Sequence, residues 1–259
     1  MNFIQRSGCC VALIGLAVVN GAYAQVGSIN SAIINPRVFN DVPGSALTTV
    51  GDYPSLIRFG DFGVSAPSGF ANRHTWRFSD DGGTSAYLFQ NDEFFLATMT
   101  LTLSASASAP RKEAGFLLQT LGGDGQFIVN TDGHEIVAFG GPLPFYAFPS
   151  TFDSGETVTL GLHYFLDSNT GLRSIIYSAN GVTSPILPIT NLEQGIINNT
   201  TLGGYFQIVN ASGDPFNSGI ASFQNITIVP EPSTFALLGM GILTLGALVS
   251  RRRRDPHTS

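Results

Sequence analysis

Cysteine is almost missing from this chain. Its two cysteines, Cys9 and Cys10, lie together in an apolar stretch near the N-terminus. Everything after that stretch therefore lacks a disulfide framework, a cysteine nucleophile and a thiolate metal site. Lysine is scarcer still, with Lys112 the only one. From Gln25 to Val229 seven basic residues face sixteen acidic ones, a formal charge near −9. Phosphate contacts need clustered lysine and arginine, so an acidic, lysine-poor segment excludes nucleic acid as a partner. Catalytic signatures are missing too. No G-x-S-x-G is present, and His74, His134 and His163 show neither H-x-H nor H-x-x-x-H spacing. Helical periodicity is scarce throughout.

The two ends carry what the middle lacks. Residues 1–24 hold one positive charge, Arg6, then the apolar run CCVALIGLAVVNGAYA. Ala22 and Ala24 form a small-x-small cleavage site before Gln25, which makes residues 1–24 a secretory signal peptide. At the other end stand Pro230, Glu231 and Pro232, then an uncharged run from Phe235 to Val249, then Arg251, Arg252, Arg253 and Arg254. As a helix that run would span about 23 Å, short of the ~30 Å hydrocarbon core, so a marginal membrane helix is expected over 235–250. The basic tail 251–254 stops transfer and stays on the cytoplasmic side, with residues 255–259 behind it. A buried C-terminal core helix is the competing reading, but four consecutive arginines beside such a helix have no structural purpose.

The order Pro-Glu-Pro-Ser-Thr, short glycine-rich apolar run, arginine cluster resembles the PEP-CTERM sorting signal, covering residues 230–254. The resemblance implies a Gram-negative host that makes exopolysaccharide. It implies an exosortase that processes the chain near Pro230, Glu231 and Pro232, with the membrane engaged through the C-terminal helix. It is silent about the domain at 25–229.

That domain is read from its alternation. ATMTLTLS puts Ala97, Met99, Leu101 and Leu103 on one face, and TVTLGLHYFL does the same with Val158, Leu160, Leu162, Tyr164 and Leu166. Both predict strands with one face in a core. Further strands are expected at 56–64, 74–79, 85–90, 114–120, 126–130, 135–139, 172–178, 205–210 and 221–229. Turn words separate them: DDGG, GGDG, TDG, DSNTG, ANG and ASGD. Residues 25–47 read as irregular, with one N-terminal strand. About a dozen short strands define an all-β sandwich or barrel. The stretches EAGFLLQTLGGDGQFIVNTDGHEIVAFGG and IASFQNITIV resemble concanavalin A-like, laminin-G-like jelly-roll sandwiches. Members of that class bind glycans, hydrolyse them, or have no assigned activity.

Each candidate site has a plainer reading beside it. Glucanases of this sandwich class carry E-x-D-x-E on one strand, and the chain has no such triplet. Asp92, Glu93 and Glu113 are expected as solvated strand ends, since adjacent strand residues face opposite ways. His163 is expected to point outward from its strand. Asp167, Asn169 and Gly171 alternate as the start of a calcium loop would, yet the downstream glutamate is absent and a hairpin turn explains them. No cofactor is expected, calcium being the one ion left open. Glycan binding would use exposed aromatics: Trp76, Tyr146 and Phe148, the last two within the loop GGPLPFYAFP, whose plainer reading is a packed loop covering a core edge. The expectation is an exported surface or matrix protein, structural or glycan-associated and not an enzyme, with exosortase, membrane and exopolysaccharide as partners. The alternative is a divergent glycan-active hydrolase or lyase.

Overall fold

The computed structural model describes residues 28–190 and 196–230. The signal peptide expected at 1–24, the membrane helix expected at 235–250 and the arginine tail lie outside the described residues. Among the described residues the chain forms fifteen strands and no helix. They are β1 (Ser31–Asn40), β2 (Ala46–Asp52), β3 (Leu56–Phe62), β4 (Ala71–Ser79), β5 (Phe95–Ala105), β6 (Lys112–Thr120), β7 (Gly123–Asn130) and β8 (Ile136–Phe139). Then follow β9 (Tyr146–Ala147), β10 (Thr157–Leu166), β11 (Arg173–Ala179), β12 (Val182–Thr183), β13 (Leu187–Pro188), β14 (Thr201–Val209) and β15 (Ser218–Pro230).

Two antiparallel sheets face each other as a jelly-roll sandwich. The first has the order β1-β4-β14-β6-β7-β8-β9. The second runs β12-β11-β10-β5-β15-β3-β2, with β13 also on β11. The alternation read in the sequence sets the faces. Ala97, Met99, Leu101 and Leu103 of β5 are fully buried, as are Leu160, Leu162 and Tyr164 of β10. Between the sheets the core is strongly aromatic. Trp76 meets Phe78 edge-on at 5.1 Å and Phe223 at 5.9 Å. Burying one such side chain is worth about 1.5–3 kcal/mol, so a core of this kind holds the fold without disulfides.

Apart from the two-residue strands β9, β12 and β13, two stretches differ from the sequence reading. Residues 85–90 are not a strand and make only one bridge, Phe89 to Thr200, because Tyr87 and Phe89 serve as core plugs in a loop. β2 was not expected. It is an edge strand of mostly exposed residues, so no inward apolar row marks it.

The long strand β15 fixes the two ends of the sandwich. At its start Ser218 pairs with Phe62; at its finish Val229 and Pro230 pair with Leu96 and Phe95. Thirteen residues at about 3.3 Å separate the ends by about 40 Å. The chain thus leaves the domain toward Glu231 from one end only.

Candidate functional site

The outer face of the first sheet gathers the polar groups that the core rejects. In β4, His74, Trp76 and Phe78 turn inward, so Arg73, Thr75 and Arg77 turn out. Register carries the same face across the sheet. Arg73 pairs with Gln207, Gln207 with Glu113, and Glu113 with Asn130. Thr75 pairs with Tyr205, and Tyr205 with Gly115. Gly115 and Gly203 are required here: an added Cβ would strike the carbonyls of Phe127 and Trp76 respectively.

The side chains tie into one network. Arg73 Nε donates to Gln207 Oε1 at 3.0 Å, and Gln207 Nε2 donates to Glu113 Oε1 at 3.0 Å. The Arg73 guanidinium lies 5.6 Å from the Tyr205 ring centre and 3.5 Å from Asp124. Arg77 donates to Gln119, to Thr201 at 3.2 Å and to the Trp76 carbonyl at 2.9 Å. Arg111 pairs with Asp132 at 2.8 Å and lies 3.7 Å from Glu113. Beside the network Leu117, Ile128, Val137 and Tyr205 form a small apolar cluster apart from the main core.

Burial sets the electrostatics. Burial raises the Glu113 carboxyl above the usual range, with the Arg111 charge pulling the other way. Burial, and then the Glu113 charge, push the Tyr205 phenol well above its ordinary value. Its hydroxyl feels Glu113 but is not aligned for a bond with any partner. Burial lowers the Arg77 guanidinium to about 10. Arg73, Arg111, Asp124 and Asp132 keep a quarter or more of their side chains in solvent, whereas Glu113, Arg77 and Tyr205 are shut away.

A second feature is a cleft of about 740 Å³ at the end where β15 finishes. Leu121, Tyr164, Leu172, Arg173 and Ile196 are among its walls. A third lies between the sheets, where Asp61 accepts from His74 at 3.1 Å and from Asn72 at 2.8 Å. The Arg37 backbone N–H donates to His74 Nδ1 at 3.1 Å, so His74 bonds Asp61 through Nε2–H.

The expected contact residues are placed differently. Trp76 is fully buried and Phe148 is 7% exposed, so neither offers a stacking platform. Trp76 sits on the inward row of β4, and Phe148 stacks on the core ring Phe127 at 5.8 Å. Tyr146 is half-buried, edge-on to Phe148 at 4.9 Å. The ring that the loop does expose is Phe145. Glu93 is not a solvated strand end; it is buried and accepts from the Tyr87 hydroxyl and the Gln90 N–H, both at 2.7 Å. Glu113 is likewise buried. Asp92 does reach solvent, paired with Arg173. His163 faces outward and stacks on Phe165. Asp167 closes its own hairpin turn, accepting from Asn169 N–H at 3.0 Å and Thr170 Oγ1 at 2.8 Å. Among the described residues no three His, Cys, Asp or Glu side chains cluster as a metal site.

The sequence reading missed Arg73, Arg77, Tyr205 and Gln207. The available signal was spacing: R-x-x-x-R and Y-x-Q each put both residues on one strand face.

The described domain matches jelly-roll sandwiches among solved structures. An alginate lyase of polysaccharide lyase family 7 is 10% identical with a TM-score of 0.50, over 78% of this chain and 95% of the other. An alginate lyase from Corynebacterium sp. is 12% identical (TM-score 0.48), over 78% and 94%. An endo-1,3-beta-glucanase from Streptomyces sioyaensis is 13% identical (TM-score 0.47), over 80% and 93%. The first of these likenesses shows the fold alone. Residues 229–254 then match the PEP-CTERM protein-sorting motif, the mark of an exported, membrane-anchored precursor that an exosortase processes. No curated protein matches the chain.

Proposed function

We propose that this is a cell-surface or matrix protein that binds polysaccharide on the outer face of its first sheet, without catalysis. The observation that supports this is the division of that face. Its proton-transfer candidates, Glu113 and Tyr205, are buried away from any substrate. Its accessible groups, Arg73, Asp124, Arg111 and Asp132, are hydrogen-bonding groups already paired in charge. Such a rim reads sugar hydroxyls rather than net charge, and the acidic domain around it favours a neutral glycan over a polyanion. The host's own exopolysaccharide is the ligand class that suits an exosortase-sorted protein.

The second reading is a lyase. It rests on the Tyr205 hydroxyl, which has no bonding partner and lies beside Glu113, Arg73 and Gln207. A phenol and a carboxyl so placed could exchange a proton with a sugar, provided the face opened. The fold that the chain shares with alginate lyases is compatible with this and adds nothing about the reaction.

Affinity electrophoresis of the secreted protein in gels cast with the host exopolysaccharide separates the readings. Retardation that Arg73→Ala or Arg111→Ala abolishes, that persists in salt and that releases no fragments, is the expected result. No retardation in any polysaccharide overturns glycan binding. Release of unsaturated ends, lost in Tyr205→Phe, replaces it with the lyase.

A further inference from the structure

The end of the sandwich from which the chain departs is apolar in a way the other functions leave unused. Val229, next to the last described residue, is 49% exposed and pairs with Leu96, itself 36% exposed. Around them stand Leu121, 95% exposed at the tip of the β6–β7 hairpin, and Leu172, 45% exposed in the β10–β11 turn. Leu88 is 50% exposed in the loop before β5. Contacts place these tips at one end. Phe95 pairs with both Pro230 and Tyr164, and Tyr164 and Arg173 both bond the Asn91 carbonyl. Leu121 and Leu172 then line one cleft with Tyr164 and Arg173.

The chain beyond Pro230 says what this end meets. Only Glu231, Pro232, Ser233 and Thr234 precede the apolar run at Phe235. Four extended residues reach about 14 Å at most. While the tail is held in a bilayer, the hairpin tips lie within reach of its headgroups. We propose that this end is a membrane-contact surface, seated on the outer leaflet of the precursor's own bilayer, with Leu121 and Leu172 entering the headgroup region. The charges nearby do not draw it there. Asp92 pairs with Arg173, Asp167 is engaged in its own turn, and Arg173 is the one basic residue of the cleft wall. The contact is therefore apolar, and anionic lipid does not strengthen it. It holds the domain upright, with the start of β15 pointing away from the membrane and the sorting motif at the surface where a membrane protease works.

The test uses the full precursor, made in a host without exosortase and reconstituted in phosphatidylcholine vesicles. Once the leader is removed the chain has no cysteine, so single labels are clean. Leu121→Cys, Leu172→Cys and Phe216→Cys carry a polarity-sensitive fluorophore, and spin-labelled lipid is the quencher. Phe216 is the control, 79% exposed near the start of β15. Quenching at 121 and 172 several-fold above that at 216, unchanged by anionic lipid, is expected. Equal quenching at all three positions in vesicle-bound precursor overturns the proposal. Amide exchange of the unsubstituted precursor gives a second readout: protection at 120–123 and 168–172 in vesicles but not in detergent is expected, and its absence also overturns it. Neither readout involves polysaccharide, so failure here is distinct from failure of glycan binding.

Discussion

Asp61→Ala tests the account of the core most sharply. Asp61 is a fully buried carboxylate between the sheets, on β3, and it joins β1 and β4. Its removal leaves His74 Nε2–H without an acceptor, while Asn72 Nδ2 keeps Val42 O and Ser45 Oγ, each at 3.0 Å. One orphaned buried donor costs about 1–3 kcal/mol, and a lost bond to a charged group about 1.5–3 kcal/mol. The sum, about 2.5–6 kcal/mol, brackets the usual cost of about 3–5 kcal/mol for removing one member of a buried ion pair. For a domain of about 200 residues, 4 kcal/mol corresponds to a fall of about 10 °C in Tm. Urea and thermal unfolding of the secreted protein measure it. Asp61→Asn keeps an acceptor for His74 and should cost about 1–2 kcal/mol. His74→Phe in the Asp61→Ala background should recover part of the loss. It removes the orphaned donor and keeps a ring between Phe59 and Phe206, which stack on His74 at 5.5 and 5.8 Å, while the Arg37 N–H loses its Nδ1 acceptor, which limits the recovery. A cost below about 1 kcal/mol for Asp61→Ala would refute the reasoning.

The same residue sets an acid limit. Burial raises the Asp61 carboxyl, but hydrogen bonds from His74, Ser45 and Asn72 outweigh it and the net shift is downward. A depressed carboxyl gives stability that is complete above its unfolded value, near pH 3.9, and is lost as pH falls through the folded one. Unfolding followed between about pH 4 and pH 2 should therefore be steeper for the parent than for Asp61→Asn. Glu113 has the opposite sign. Its raised carboxyl favours the fold at low pH and costs stability as pH rises through it. Glu113→Gln should therefore raise Tm at neutral pH and change it little in acid. Gly203→Ala meets the Trp76 carbonyl with no room to move, and should abolish secretion of folded protein. Gly181→Ala meets nothing, but φ is +81° at Gly181 and +50° at Asn180, a two-residue hairpin turn. The cost there is conformational, about 1 kcal/mol by urea denaturation. Intact mass of the exported protein should show loss of residues 1–24 and of the arginine tail in an exosortase-competent host, and retention of the tail without the protease.

How far the sequence carries depends on whether a feature is local. Strand existence was local: β5 and β10 alternate in apolar size, and the turn words mark where pairing reverses, so most strands and the sandwich class could be read directly. β4 shows where this breaks. ANRHTWRFS turns Asn72 and His74 inward because Asp61, on another strand, receives their hydrogen bonds. With polar residues on the inward row, Trp76 looked like a surface ring. The outer-face network was harder still. Arg73, Arg77, Glu113, Gln119, Tyr205 and Gln207 come from three strands that are neighbours only in the order β4-β14-β6, and β14 enters that order from far along the chain. Each strand contributes two ordinary polar residues, and the spacing that sets them on one face of their own strand does not say which strands lie beside it. A binding face of a jelly roll is thus a property of strand order, whereas the sorting tail is a property of twenty-six consecutive residues. That difference explains why destination was legible in this chain and ligand was not.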